Sequence, residues 1–205
     1  MAPHPDDETL PIGGTVATWA AAGTSIEVVA VTDGEASHPG APGLAERRAE
    51  EQRVALAALG VTAPPIRLRL PDTGVAAHHQ LLVTTLSERL VGRGPVTVIL
   101  APWELDAHGD HDAVGRAALA AAAQTGATCV RFPVWAWQWA TPETFAGLDL
   151  RRLPLSPDAT RRKTTAVACF PSQTEVAPGS VPILSPGFLE RFRRPSEVLI
   201  EPLNA

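Results

Sequence analysis

The chain has 205 residues, 45% hydrophobic and 19% charged, which predicts one globular domain with a substantial core and excludes a disordered chain. Its net charge of −5, with basic residues only in short clusters such as Arg47-Arg48, excludes a nucleic-acid-binding face and leaves the arginine pairs as solvated positions. Two distant cysteines, Cys129 and Cys169, make no disulfide framework, and no leader or membrane-length apolar run is visible, so a reducing cytoplasm is the expected setting.

Residues Gly13 to Ala22 are alanine-rich and predict a helix closed by Gly23. Ile26 to Thr32 is a β-branched run and predicts a buried strand. Leu44 to Leu59 predicts a long helix, with Ala55, Leu56 and Leu59 on one side and Gly60 as its stop. A short strand over Ile66 to Leu70, a helix over His79 to Val91 and a buried strand over Val96 to Ala101 follow. Val114 to Ala123 predicts a further helix.

Thr128 to Trp139 reads as one or two strands broken at Pro133. That places Trp135, Trp137 and Trp139 on one strand face, suited to a sugar platform, a core or a subunit interface. An edge strand over Leu150 to Leu155, a helix over Asp158 to Cys169 and a last strand over Glu197 to Glu201 complete the chain. Alternating strands and helices predict an α/β fold, Rossmann-like, with a mostly parallel sheet flanked by helices in a single domain over residues 1–205. Ligands in such folds sit beyond the carboxyl ends of the strands, so the loops after Thr32 and Ala101 should line a crevice.

Two short polar segments carry the chemistry: His4-Pro5-Asp6-Asp7-Glu8 and His108-Gly109-Asp110-His111. Either alone could be a helix start, with an aspartate as its cap. Together they supply a hydrolytic site. His4, Asp7 and His111 can hold one divalent ion, leaving a position open for water whose pKa the ion lowers. Asp6, beside Asp7 but free of the ion, is the candidate general base. His108 is the candidate oxyanion partner, best as an imidazolium, and Asp110 the carboxylate that would orient its ring. Glu8 suits a salt bridge or a helix terminus.

These motifs resemble those of the N-acetylglucosaminyl-phosphatidylinositol de-N-acetylase family, also called PIG-L or LmbE-like deacetylases. The similarity extends to VTDGEAS, to RRAEEQRVALAALGV with Arg48 and Glu51, to LRLPDTGV with Asp72, to APWELDAHGDH and to KTTAVACFPSQTE. The resemblance implies a zinc-dependent hydrolase that removes acetyl from an N-acetylglucosaminyl compound. It implies zinc on His4, Asp7 and His111, Asp6 as base, and His108 backed by Asp110. It also implies sugar contacts for Arg48 and Asp72, whose alternative use is an ordinary ion pair. The ligand set tolerates iron or another divalent ion as well as zinc. The expected partner is a small N-acetylated aminosugar or glycoconjugate, and a homo-oligomer is left open. The same site on a different amide, as in a thiol-conjugate amidase, and a catalytically weak sugar- or metal-binding module are the rival readings.

The sequence departs from the family pattern in three places. The family has a strand before HPDDE, where this chain has Met1-Ala2-Pro3, so the sheet is expected to have a gap or another means of completion. The chain contains no tyrosine, which some members place near the second motif; Asp106 stands two residues before His108. Gly109 takes a position that is often proline.

Overall fold

The computed structural model describes residues 1–93, 97–175 and 182–202. In chain order its elements are α1 (Gly13–Ala21), β1 (Val29–Ala30), α2 (Leu44–Leu59), β2 (Ile66–Arg67), α3 (His79–Leu90), β3 (Val98–Pro102), α4 (Gly109–Thr125) and β4 (Thr128–Phe132). There follow the one-turn α5 (Ala136–Trp139), β5 (Leu150–Pro154), α6 (Pro157–Val167), the short α7 (Pro171–Thr174) and α8 (Pro186–Leu189), and β6 (Ser196–Ile200). The fold is α/β, as its alternating pattern predicts.

Strands β1 and β2 are parallel, as are β3 and β4, whereas β6 runs antiparallel to β4 and to the edge strand β5. The sheet is therefore mixed. The parallel part is confined to the first four strands, because β5 and β6 lie side by side without a right-handed crossover between parallel neighbours.

The expected gap in the sheet is bridged by the first two residues. Ala2 pairs in parallel with Ala30; its N–H donates to Val29 O at 2.9 Å, and its carbonyl accepts from Val31 N at 2.9 Å. On the other side the Met1 nitrogen donates to Leu100 O at 2.8 Å. Beside this link is a cavity of about 580 Å³ between Ile26–Val28 and Val98–Leu100, floored by Ile12, Val16 and Trp19. The strand expected over Ile26 to Thr32 is accordingly short, and Val96 lies outside the described residues.

Helices cover both faces of the sheet. Leu10, Val16, Leu56, Leu59, Phe132 and Phe170 form the core under α1, α2 and α6. Val31, Leu82, Val83, Val114 and Ala117 form the core under α3 and α4. Alanines on the buried side of α4 let it lie close against the sheet, and Gly115 is needed there: a Cβ would stand 2.6 Å from Pro102 O. Helix α6 opens with Ser156, whose hydroxyl accepts from Ala159 N, and Pro157 in the first turn. Helix α2 ends on Gly60 at φ 90°, as its position in the sequence predicts. Among the described residues no helix is long and apolar enough to cross a membrane.

The second half departs from the sequence pattern at the tryptophans. After β4 and Pro133 the chain makes the turn of α5, so Trp135, Trp137 and Trp139 do not share a strand face. Trp135 stacks between His108 and Phe188, Trp139 stacks on Trp103, and Trp137 packs near Phe145 and Arg194. The cause is the Asp106 carboxylate, which accepts the N–H groups of Val134, Trp135 and Ala136 at 2.9, 2.8 and 2.9 Å and so fixes a turn.

Candidate active site

The first motif caps no helix. Residues 4–12 form a chain of turns in which Asp6 O accepts from Thr9 N and Leu10 N at 2.8 and 2.9 Å. Helix α1 begins later, with the Glu197 carboxylate accepting from Gly14 N and Thr15 N. The turn sets Asp6 at φ 128°, and two further residues of the same cavity, Thr73 and Ala107, also have positive φ. Non-glycine residues pay strain there, and such strain clusters at functional sites. The second motif lies in the first turn of α4, which starts five residues before the predicted Val114.

His4, Asp7 and His111 meet at one point. Asp7 Oδ2 lies 3.0 Å from His4 Nδ1 and 3.2 Å from His111 Nε2, and it also accepts His4 N at 2.9 Å. The other His111 nitrogen, Nδ1, is held by Asp106 Oδ2 at 2.7 Å. This leaves His111 Nε2 buried with no hydrogen-bond partner, facing a carboxylate oxygen. With Nδ1 donating, Nε2 carries a lone pair, and a lone pair opposite a carboxylate calls for a cation between them.

The electrostatics agree. Burial pulls the His4 pKa down, yet hydrogen bonds to Asp110, Asp7 and Asp72 hold it well above the usual histidine value. Burial also opposes the charged form of His111, but Asp7 and Asp106 raise it to about 9. Against burial, the same histidines hold the Asp7 carboxyl well below its ordinary range. The carboxylates thus demand positive charge, which protons on the two imidazoles supply and a divalent ion would supply in their place. One ring nitrogen each of His4, His108 and His111 lies within 4.8 Å of the others, as do ligand atoms of His4, Asp72 and Asp110. The residues fit a metal ion.

Asp6 and Arg48 form the second feature. Arg48 does not lie on a solvated face: it is 3% exposed. Its Nη2 donates to Asp6 Oδ2 at 3.1 Å and to Pro5 O at 2.8 Å, and its Nη1 donates to Gly34 O at 2.7 Å. Burial pushes the Asp6 carboxyl up and Arg48 partly restrains it, leaving it at about 7. A carboxyl at that value is suited to exchange a proton near neutral pH.

His108 lies beside this pair of features, with its ring centroid 4.6 Å from that of His111 and 5.9 Å from that of Trp135. Burial, followed by His111 and His4, drives its pKa down to about 4. It is a neutral imidazole, not the imidazolium its motif suggests. Asp110 does not orient it: the Asp110 oxygens face His4 Nε2 at 3.2 Å, Thr73 N at 2.7 Å and Val75 N at 3.2 Å. Asp72 also turns to His4, at 3.2 Å, and accepts from Ala36 N at 2.8 Å. Glu8 is buried and bound by Thr9 and Gln52.

All but two of the eight expected residues line one cavity of about 400 Å³: His4, Asp6, Asp7, Arg48, Asp72 and His108. His111 and Asp110 stand behind it, in contact with His4 or Asp7. Asp106 is the residue that sequence reasoning missed as functional. Fully buried, it joins His111 to the α5 turn.

A PIG-L family model, described as GlcNAc-PI de-N-acetylase, matches residues 1–122, which contain both motifs. The chain belongs to the PIG-L family. It is 44% identical over 70 residues to 1D-myo-inositol 2-acetamido-2-deoxy-alpha-D-glucopyranoside deacetylase of Actinosynnema mirum. That match covers 29% of this chain and 25% of the relative, so the likeness spans about a quarter of the curated protein's length. Among PIG-L-like solved structures, the conserved protein TT1542 of Thermus thermophilus aligns with a TM-score of 0.74 and 25% identity, over 100% of this chain and 93% of that one. The A40926 pseudoaglycone deacetylase Dbv21 aligns with a TM-score of 0.76 and 22% identity, over 98% and 94%, and shares the fold.

Proposed function

We propose that the protein is a zinc-dependent hydrolase that removes the N-acetyl group from an N-acetylglucosaminyl-type glycoconjugate. The observation that carries this reading is the juxtaposition of the orphaned His111 Nε2 and Asp7 with a separate carboxyl, Asp6, poised at about 7. A binding module needs the first but has no use for the second. Family membership and the names of the relatives support the same reaction class.

His4, Asp7 and His111 would hold the ion, which when bound polarises the carbonyl and makes water more acidic. Arg48 holds Asp6 at the cavity wall. Asp6 takes the proton of the attacking water as its oxygen bonds to the carbonyl carbon, and returns a proton to the nitrogen as the C–N bond breaks. His108, neutral, donates N–H to the oxygen that gains charge; a neutral donor suffices where desolvation strengthens the bond. Acetate and a free amine leave. Asp72 and Arg48 face the cavity, and Asp72 retains an edge for sugar hydroxyls.

The test is release of acetate from a panel of N-acetylglucosaminyl conjugates by the purified protein, before and after metal removal and zinc repletion. Zinc-restored acetate release is expected. Amine release only from larger, non-sugar amides would instead support an amidase of another class.

A further inference from the structure

The cavity has two kinds of wall. Its polar groups are tied to one another: Arg48 to Asp6, Asp72 to His4 and to Ala36 N, and Gln173 to Ser37. Its apolar groups form a separate row of rings that starts at His108. Trp135 stacks on His108 at 5.9 Å with the planes 20° apart, and Phe188 stacks on Trp135 at 5.2 Å. Leu184 and Ile183 line the same cavity, and Ile183 stays 37% exposed.

We propose that the amide cleaved here carries an acyl group longer than acetyl, an aliphatic chain that lies along the Trp135–Phe188 row. The inference rests on the hydrolytic reading above and specifies its substrate. In that reaction the leaving nitrogen must reach Asp6 for its proton, and Asp6 belongs to the polar network. The amine-bearing sugar is therefore on the side of Arg48 and Asp72. His108 faces the carbonyl oxygen, so the group on the other side of the carbonyl carbon, the acyl chain, meets the ring row that His108 begins. An acetyl methyl would leave Phe188, Leu184 and Ile183 uncovered. A chain of several carbons would remove their surface from water, which is favourable in proportion to the apolar area covered. None of the residues in the row is charged. The bond changes are those of any amide hydrolysis: water adds to the carbonyl carbon, the C–N bond breaks, and a fatty carboxylate and an amine are released.

The experiment compares kcat/KM of the zinc-loaded protein on N-acetyl, N-butanoyl and N-hexanoyl derivatives of one glucosaminide. The expected result is a rise of about threefold for each methylene that the row covers. Phe188→Ala and Ile183→Ser should each cut the hexanoyl-to-acetyl ratio by about tenfold; Ile183 is at the rim, so that variant keeps the test sound if loss of Phe188 unfolds the protein. A flat or falling series overturns the proposal. So does a gain that follows apolar groups on the aglycone while chain length has no effect. Hydrolysis of acetyl alone refutes only the longer chain, whereas no hydrolysis of any member refutes the hydrolytic reading with it.

Discussion

Asp106 and His111 are joined at 2.7 Å, and both side chains are sealed from solvent. The same carboxylate accepts three backbone N–H groups from residues 134–136, so the imidazole, the α5 turn and Trp135 are fixed by one group. Its hydrogen bond to Nδ1 dictates that Nε2 is the nitrogen left for a metal ion.

Asp106→Asn should therefore weaken metal binding by about 10–100-fold, the usual effect of losing the carboxylate behind a ligating histidine. Titration of the metal-free variant with zinc against a competing chelator measures this. Unchanged affinity would mean that Asp106 serves only the α5 turn.

Arg48 restrains the pKa of Asp6, which burial raises. The base works ionised, so activity is lost as pH falls through the Asp6 pKa. Arg48→Met removes the restraint, the pKa rises, and the acid limb of the kcat/KM profile should move to higher pH. A bound ion lowers the limb in both proteins alike, so the difference between their profiles is the readout. A sugar-binding role alone would raise KM and leave the limb in place.

Glu197 is 3% exposed and accepts from Gly14 N, Thr15 N and Thr15 Oγ1 as well as from Lys163 Nζ at 2.7 Å. Glu197→Ala leaves the Lys163 ammonium buried without its partner and uncaps α1. The expected cost is about 3–5 kcal/mol in denaturant unfolding. Little change in the unfolding midpoint would show that Lys163 reaches solvent in the folded state.

Gly115 brings α4 against the end of β3, where a Cβ would lie 2.6 Å from Pro102 O and 2.9 Å from Glu104 N. Backbone cannot rotate away as a side chain can. Gly115→Ala should cost about 1–3 kcal/mol by overpacking. Thermal unfolding is the check, and a neutral result would place the helix farther from the strand.

What the sequence made legible was what local pattern controls. The helix from Leu44 to Gly60 is set by its apolar side and its glycine stop, and both motifs are short enough to be recognised as units. The long-range consequences were not legible. Arg48 sits in an ordinary arginine pair, and only the approach of Pro5, Asp6 and Gly34, between 14 and 43 residues away, shows that it is buried. Asp106 carried one clue, its place two residues before His108, but its partners come from residues 134–136 beyond the next strand. Those same bonds turned a period-two tryptophan pattern into a helical turn. Asp110, expected behind His108, is drawn off by Thr73 N and Val75 N from a loop that the motif does not include.

The central claim is that metal binding and proton transfer are divided between adjacent carboxylates, Asp7 and Asp6. Asp6→Asn, assayed for metal content and for amide hydrolysis on the same preparation, tests it most directly. The expected result is a full complement of metal with turnover lowered by about 10²–10⁴-fold, the usual worth of a general base. Undiminished turnover with metal retained, or loss of the metal itself, would contradict that division.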